Sequence, residues 1–410
     1  MAAANGKKGS LTMEQAVGAS MALAKSVGNT TAERALNGGA NGPVGSPSAR
    51  AVAAAAKGMA GGQGTTAAQP AEVPKQSKVL LSVDFARHLA ELGQGRRAQE
   101  VLKNIKSSPN LASAPAAEPA IRLAELEIQA WGMLLLPEGR ARKAAETLIS
   151  SSTSLSDPAE RVIALSKIGV IVSKHGQLPP EASRAFLTQA ADSLKSISDA
   201  QSRQAAMTAW ASALGEVLVA DATQRAKSGQ WSKAQTASAQ LDELIKSAPD
   251  SLSQARLYAS QFRMRQLLGQ QDKASQSLQS AASLVTKNGD PVQAAAWLRS
   301  VLRTAGAGAF EVLQPSIETF KTQSVERSGL VRAQALTQVV LIYADAGANA
   351  QADAVAQLVQ GTTGLKPADE VTVTTELLVQ SDLATARFMH LSGMYAEAEN
   401  ILQRLAGYLL

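Results

Sequence analysis

The chain of 410 residues has a net charge of +6, contains no cysteine and has only 3% aromatic residues, while alanine dominates its 45% hydrophobic fraction. The absence of cysteine excludes disulfides, cysteine-ligated metal centres and thiol catalysis. Abundant alanine with few aromatic residues favours closely packed helices over a β-sandwich. No run approaches the roughly 20 apolar residues of a membrane span, so we expect no transmembrane segment.

The positive charge is concentrated near the N-terminus. Residues 1–78 hold eight Lys or Arg and three acidic residues, a net charge of +5, which leaves +1 for residues 79–410. Because the larger part of the chain is nearly neutral, the overall basic charge does not predict a specific nucleic-acid partner.

Residues 1–78 are predicted to be a mostly disordered basic arm. Gly, Ala, Ser and Thr dominate it, and the first aromatic residue of the chain is Phe85. Such a segment buries too little apolar surface to offset its ordering entropy. Two alternatives stay open for it, an inert flexible leader and a docking segment that becomes helical on a partner.

A cleaved signal peptide is a further alternative for residues 1–24. Lys7 is a basic start, and the sequence 22–24 (ALA) has the small-residue pattern of a cleavage site. Glu14 interrupts the apolar stretch between them, which argues against a signal. We therefore expect a cytoplasmic protein, with a periplasmic or secreted location as the alternative.

Residues 79–410 contain a repeated Gly-x₄-Ala motif, each copy followed by a helical stretch. Its spacing corresponds to one unit every 43 residues or so, which is typical of stacked helical repeats. Glycine suits the left-handed residue after a helix end, and the small alanine lets two helices joined by a short turn cross closely. The pairs are Gly93/Ala98, Gly139/Ala144, Gly229/Ala234, Gly269/Ala274, Gly347/Ala352 and Gly393/Ala398.

Two units depart from the motif. The turn near residue 176 is one residue longer and is followed by Pro180, a predicted first-turn residue of the next helix. The turn near residue 308 is rich in glycine and lacks the alanine. With these two included, the prediction is an all-α superhelical array of about eight antiparallel helical hairpins.

The repeat resembles the tetratricopeptide family, most clearly in its last unit. Its average length of about 43 residues exceeds the 34 of that family, so helices or loops are expected to be longer. The resemblance implies binding of a protein or peptide, with no catalysis and no cofactor. The matching positions are Ala386, Gly393, Tyr395, Ala398, Leu402 and Leu405.

No motif for catalysis or metal binding accompanies the repeat. His88, His175 and His390 are far apart, whereas metal ligands cluster at short spacings. Acid pairs such as Glu125 and Glu127 are two residues apart and are interpreted as solvated faces. The four tryptophans lack interleaved basic residues and are expected in the core. The chain is therefore predicted not to be an enzyme.

Arginines supply the candidate partner-binding residues. Like charges spaced along one helix face repel, so they need either a nearby acid or a ligand. One interpretation is that they bind an acidic peptide, and the other is that neighbouring hairpins neutralise them. The candidates are Arg256, Arg263, Arg265, Arg299 and Arg303.

The apolar C-terminal turn around Tyr408 and Leu409 is unusual, because solenoids commonly end in a polar cap. It is expected to dock within the chain, with self-association onto another subunit as the alternative. We interpret the whole chain as a non-enzymatic protein-interaction scaffold. The alternatives are an exported assembly component and a tether that holds an anionic polymer or membrane through the basic arm.

Overall fold

The structure is a computed structural model that describes residues 75–112, 114–175, 178–306 and 308–409. This part of the chain forms seventeen α-helices and no strand, so the all-α prediction is confirmed. The first helix begins at Lys75, four residues before the predicted boundary at 79. The predictions for the basic arm up to residue 74, including the signal peptide, lie outside the described residues.

Sixteen of these helices pair into eight hairpins, each with an inner and an outer helix. The first four hairpins, each named inner helix first, are α1 (Lys75–Glu91) with α2 (Gly95–Ser107), α4 (Glu118–Met133) with α5 (Glu138–Thr153), α6 (Pro158–Ser173) with α7 (Pro180–Leu194), and α8 (Ala200–Lys227) with α9 (Trp231–Lys246). The last four are α10 (Ser251–Leu267) with α11 (Gln271–Thr286), α12 (Pro291–Ala305) with α13 (Ala309–Val325), α14 (Gly329–Asp345) with α15 (Asn349–Gln360), and α16 (Pro367–Leu391) with α17 (Tyr395–Leu409). The short helix α3 (Pro109–Ala112) lies between the first and second hairpins and is not paired in this way.

Five of the six predicted glycine turns have the same geometry. Their glycines have φ between 71° and 81°, and in each turn the next residue donates its N–H to the carbonyl five residues back at 2.8 Å. This is the Schellman arrangement, in which a left-handed residue closes the helix end. The alanines of these motifs are fully buried where inner and outer helices cross. The glycines are Gly93, Gly229, Gly269, Gly347 and Gly393.

The predicted turn at Gly139 is wrong. Gly139 is the second residue of α5, and the chain reverses at residues 134–137 instead. Leu134 continues in a helical conformation after α4, and Pro137 precedes α5 with an extended ψ of 152°. The buried alanines of α5 are accordingly Ala141 and Ala145.

The turn near residue 176 is held by His175. Its Nδ1 accepts the N–H of Leu178 at 3.2 Å, which leaves Nε2 to donate to the carbonyl of Leu136 at 3.1 Å. The imidazole therefore joins the turns of the second and third hairpins. Helix α7 begins at Pro180, as predicted.

The inner helices form a ring, because each packs on the inner helix before and after it and α16 packs on α1. At this seam between the last and first hairpins, apolar side chains of α16 and α17 join the core of the first hairpin. Leu405 and Leu409 are buried there, so the apolar C-terminal turn docks within the chain. Closure was not predicted from the sequence, which indicated a superhelical array.

Polar contacts also cross the seam. Glu399 accepts hydrogen bonds from Gln94 and Arg97, both at 2.7 Å, and Gln380 donates to Asp84 at 3.0 Å. An array closed in this way has no free terminal repeat, which an open solenoid must cap with polar residues.

Inner helices all run in the same direction, since one antiparallel outer helix separates each from the next. Their C-terminal ends and the hairpin turns therefore lie on one side of the ring, which we call the turn rim. On the opposite side, aspartates cap several inner helices, such as Asp250, whose carboxylate accepts the N–H of Ser253 at 2.7 Å. With helix axes about 8–10 Å apart, eight inner helices surround a central space roughly 10 Å wide before long side chains enter it.

Candidate functional site

Charged side chains from seven hairpins converge in the middle of the ring, and most of them lie near the C-terminal ends of the inner helices. Arg256, the sixth residue of α10, lies nearer the opposite end. Each of these side chains is close enough to a charge on another hairpin for the two to interact electrostatically. We call this set the central charge cluster. Its members are His88, Glu91, Lys174, Glu216, Arg256, Arg263, Arg299, Arg303, Asp345 and Arg387.

Asp345 neutralises two of the predicted arginines. Its Oδ2 accepts from Nε of Arg299 at 2.7 Å, and Arg303 binds both carboxylate oxygens at 2.9 Å. Burial alone would raise the pKa of Asp345, but the two guanidinium groups outweigh it and hold that pKa well below its usual range. Arg299 and Arg303 would repel each other at their spacing and therefore need a nearby acid, and the next hairpin supplies it.

The ion pair between Arg387 and Glu91 links the seam to the central charge cluster. The distance between Arg387 Nε and Glu91 Oε1 is 3.0 Å. Burial would raise the pKa of Glu91, but the charge of Arg387 and its hydrogen bond lower it. Closure of the ring therefore fixes one cationic side chain of the cluster in place.

Lys174 and Glu216 have no such close partner. Lys174 Nζ lies 4.6 Å from the ring centroid of Trp131, a cation–π contact, and neither residue forms an ion pair in the described part of the chain. By accessible surface Lys174 is exposed and Glu216 is half-buried, but much of the solvent around both charged groups is replaced by the surrounding hairpins. Desolvation consequently lowers the pKa of Lys174 and raises the pKa of Glu216.

Most guanidinium N–H groups of the cluster have no acceptor among the described residues. An arginine offers five N–H donors. Arg256 uses one, from Nε to Ser300 Oγ at 2.7 Å, and Arg299 and Arg387 each use one, whereas Arg263 uses none. Six cations face three carboxylates, so the cluster has an excess of positive charge as well as unused donors.

The structure places four of the five predicted arginines in the cluster and separates the fifth. Arg265 lies two residues after Arg263 and so faces another side of α10. Its Nη1 donates to the carbonyl of Lys273 at 2.7 Å and to Ser277 Oγ at 2.8 Å, both in the outer helix of its own hairpin. Arg265 therefore supports its own hairpin.

Two sequence interpretations are corrected. Glu127 is only 8% exposed and pairs with Lys167 at 2.9 Å and Arg87 at 3.4 Å, so it does not lie on a solvated face. Trp231 is 51% exposed and not in the core. Both follow from the ring, which buries the sides of inner helices and exposes the turns.

Five members of the cluster were not predicted, because no local spacing in the sequence links them. They are Glu91, Lys174, Glu216, Asp345 and Arg387. A usable signal exists for some of them. Glu91 and Asp345 stand two residues before a turn glycine, and Arg263 and Arg387 stand six residues before one. Charged residues at the same distance before the turns of different units would have indicated that their side chains lie at the same height along the ring axis.

The turn rim also exposes large apolar side chains around the cluster. Four of the six large hydrophobic residues that are exposed in the described part of the chain lie at its hairpin turns. They are Leu135 (75% exposed), Trp231 (51%), Leu391 (68%) and Tyr395 (60%). A set of apolar side chains around cationic groups is typical of an interaction surface.

A cavity of about 260 Å³ lies on this rim between the last three hairpins. It is open to solvent and lies beside the arginines of the cluster. Its lining residues are Leu302, Arg303, Gly306, Gly308, Phe310, Glu311, Asp345, Ala346, Arg387, Phe388, Leu391 and Ser392.

No protein-family model matches this chain, and a comparison with curated proteins gives no match. What the structure establishes is therefore an all-helical array of paired helices. Among the described residues no helix has the length and hydropathy needed to cross a membrane.

Proposed function

We propose that this chain is a non-enzymatic protein-interaction adaptor that binds an acidic segment of a partner protein over the central charge cluster. The observation that carries the proposal is the set of guanidinium donors on Arg256, Arg263, Arg299 and Arg387 that have no acceptor among the described residues. Carboxylates are the protein groups that best match such donors in charge and geometry.

The helix ends help to explain how Arg263, Arg303 and Arg387 are tolerated with unused donors, because each lies within four residues of the C-terminal end of an inner helix. The inner helices present their C-terminal ends to the turn rim, and the negative end of a helix dipole favours nearby positive charge. This interaction leaves the N–H donors available, so an incoming carboxylate adds charge-assisted hydrogen bonds, each worth about 1.5–3 kcal/mol.

The resemblance of the repeat to the tetratricopeptide family supports the same function. We propose that the array is a tetratricopeptide-like ring with longer units, and that it retains peptide or protein binding. Apolar side chains on the turn rim, such as Leu391 and Tyr395, would add contact area around the charged centre. The alternatives of export and of tethering by the basic arm depend on residues 1–78 and stay hypotheses.

The test measures binding of fluorescein-labelled polyglutamate to the full chain by fluorescence anisotropy. The double variant Arg256→Gln/Arg263→Gln is expected to raise the Kd at least tenfold, which corresponds to about 1.4 kcal/mol. Arg265→Gln is the control and is compared with the single variant Arg263→Gln, because each removes one positive charge from the same helix, outside and inside the cluster respectively. The control should leave the Kd within about twofold.

Salt provides a second criterion. Binding that depends on the cluster should weaken between low and physiological salt, but less than binding to exposed charges, because the cluster is partly desolvated. Absence of polyglutamate binding at low salt, or equal weakening by Arg265→Gln, would overturn the proposal.

A further inference from the structure

We infer that the cavity between the last three hairpins is a pocket for one large apolar side chain of the bound acidic segment, an inference that rests on the proposed function. The pocket lies beside Gly306 and Gly308, the irregular turn of the sixth hairpin. This turn has two glycines and lacks the alanine of the Gly-x₄-Ala motif, so it differs from the regular glycine turns around the ring.

The walls of the pocket combine apolar and aromatic side chains with charged and polar ones, which are Arg303, Glu311, Asp345, Arg387 and Ser392. Phe310 packs edge-on against Tyr343 with ring centroids 6.1 Å apart, and Phe388 covers the turn at Gly347. Leu391 stands at the mouth and is largely exposed. These groups lose contact with water when an apolar side chain enters, which is favourable by about 25 cal/mol per Å² of apolar surface buried.

The space exists because small residues occupy the turn. Gly306 and Gly308 carry no side chain and both have positive φ, 75° and 80°, while Ala346 contributes only a methyl group. Ligand pockets for drug-sized molecules begin near 300 Å³. A cavity of about 260 Å³ is therefore suited to a single large side chain.

The charged residues of the pocket wall indicate which groups should stand next to the apolar side chain in the ligand. Arg387 lines the cavity and uses only Nε for Glu91, so both of its terminal nitrogens are free of acceptors within the described residues. Arg303 also lines it, and its Nη1 has no acceptor among the residues that the structure describes. The matching ligand is an aromatic or large aliphatic residue with a carboxylate close by.

The segment of this chain before Lys75 does not match the pocket. Residues 1–74 contain six Lys or Arg and three acids, and no aromatic residue. Its charge and its lack of aromatic residues therefore favour a segment of another protein as the occupant.

The first experiment compares polyglutamate with a polyglutamate peptide that has one central tryptophan, again by fluorescence anisotropy on the full chain. The tryptophan is expected to lower the Kd at least about tenfold. Ala346→Met fills the cavity and should abolish that gain, measured as the ratio of the two Kd values within the same variant. Ala350→Met, an exposed position in the same hairpin, is the control and should retain the gain.

A second probe separates this inference from the proposed function. Indole-3-propionate carries an aromatic ring and a carboxylate, and its binding can be followed by isothermal titration without any peptide. Saturable binding that Ala346→Met removes and Ala350→Met retains supports the pocket, even if polyglutamate fails to bind. No saturable binding, or equal binding to both variants, overturns it even if polyglutamate binds.

Discussion

Arg387 in the last hairpin donates a hydrogen bond from Nε to Oε1 of Glu91 in the first hairpin, over 3.0 Å and across 296 positions of sequence. The contact lies where the apolar cores of the two terminal hairpins merge. It couples closure of the ring to the central charge cluster, because the same arginine lines the candidate pocket. A binding surface at the centre thus depends on the two ends of the chain meeting.

The first prediction concerns the seam. Leu405→Ala removes a buried side chain between α17 and the first hairpin, and a loss of about 2–5 kcal/mol in the free energy of unfolding is expected. The ring should also open, which increases the radius of gyration measured by small-angle X-ray scattering.

Leu278→Ala is the matched control, because Leu278 is equally buried in α11, away from the seam. It should cost similar stability without any increase in the radius of gyration. Equal scattering from both variants would contradict a closed ring held at this seam.

The second prediction concerns acid. The pKa of Glu91 is lowered in the folded chain, so its ionised form adds stability above its ordinary pKa near 4.3 and that stability is lost as the pH falls through the lowered value. Denaturant unfolding at several pH values should show this loss. Glu91→Gln should be less stable than the wild type at pH 7 and approach it in acid, whereas exposed Glu146→Gln should follow the wild type throughout.

The third prediction concerns Glu216, whose contribution to stability should change with pH in the opposite direction to that of Glu91. Desolvation raises the pKa of Glu216 in the folded chain, so its ionised form is disfavoured there and the associated stability is lost as the pH rises through the raised value. Glu216→Gln is therefore expected to be more stable than the wild type at pH 7 and similar to it near pH 4 in urea unfolding. A variant that is less stable at pH 7 would show that the neighbouring cations require this carboxylate.

The fourth prediction compares two turn glycines with similar φ. Gly393→Ala meets no atom within 4 Å, so only backbone strain of about 1–2 kcal/mol is expected. Gly347→Ala would place its Cβ 2.5 Å or less from three ring atoms of Phe388 and should cost more. Phe388→Leu in the Gly347→Ala background should recover part of the difference, as measured by thermal unfolding. Equal losses for the two single variants would mean that Phe388 moves away freely.

The hairpins were predictable from sequence because their signals are local. Gly229 and Ala234 lie in one turn, and each has a conformational or steric requirement that few other residues meet. The prediction at Gly139 was wrong because the chain had already turned before Pro137, so the same spacing occurred without the same geometry. Spacing alone does not distinguish these cases.

Ring closure and the full charge cluster were not predictable by the same means. The pairing of Arg387 with Glu91 depends on the curvature accumulated over all eight hairpins, which no local spacing encodes. Arg299 and Arg303 could be identified as a pair that needs a partner, but Asp345 comes from the following hairpin and could not be assigned to them.

The last prediction separates stability from binding at one residue. Asp345→Asn leaves Arg299 and Arg303 without their countercharge, and breaking a buried ion pair in this way commonly costs about 3–5 kcal/mol. The freed guanidinium groups also become available to a carboxylate ligand, so polyglutamate should bind more tightly while urea unfolding shows lower stability. Asp192→Asn, which removes an exposed acid paired with Lys195, should change neither quantity. Weaker polyglutamate binding by folded Asp345→Asn would mean that Asp345 positions the arginines for the ligand and does not compete with it.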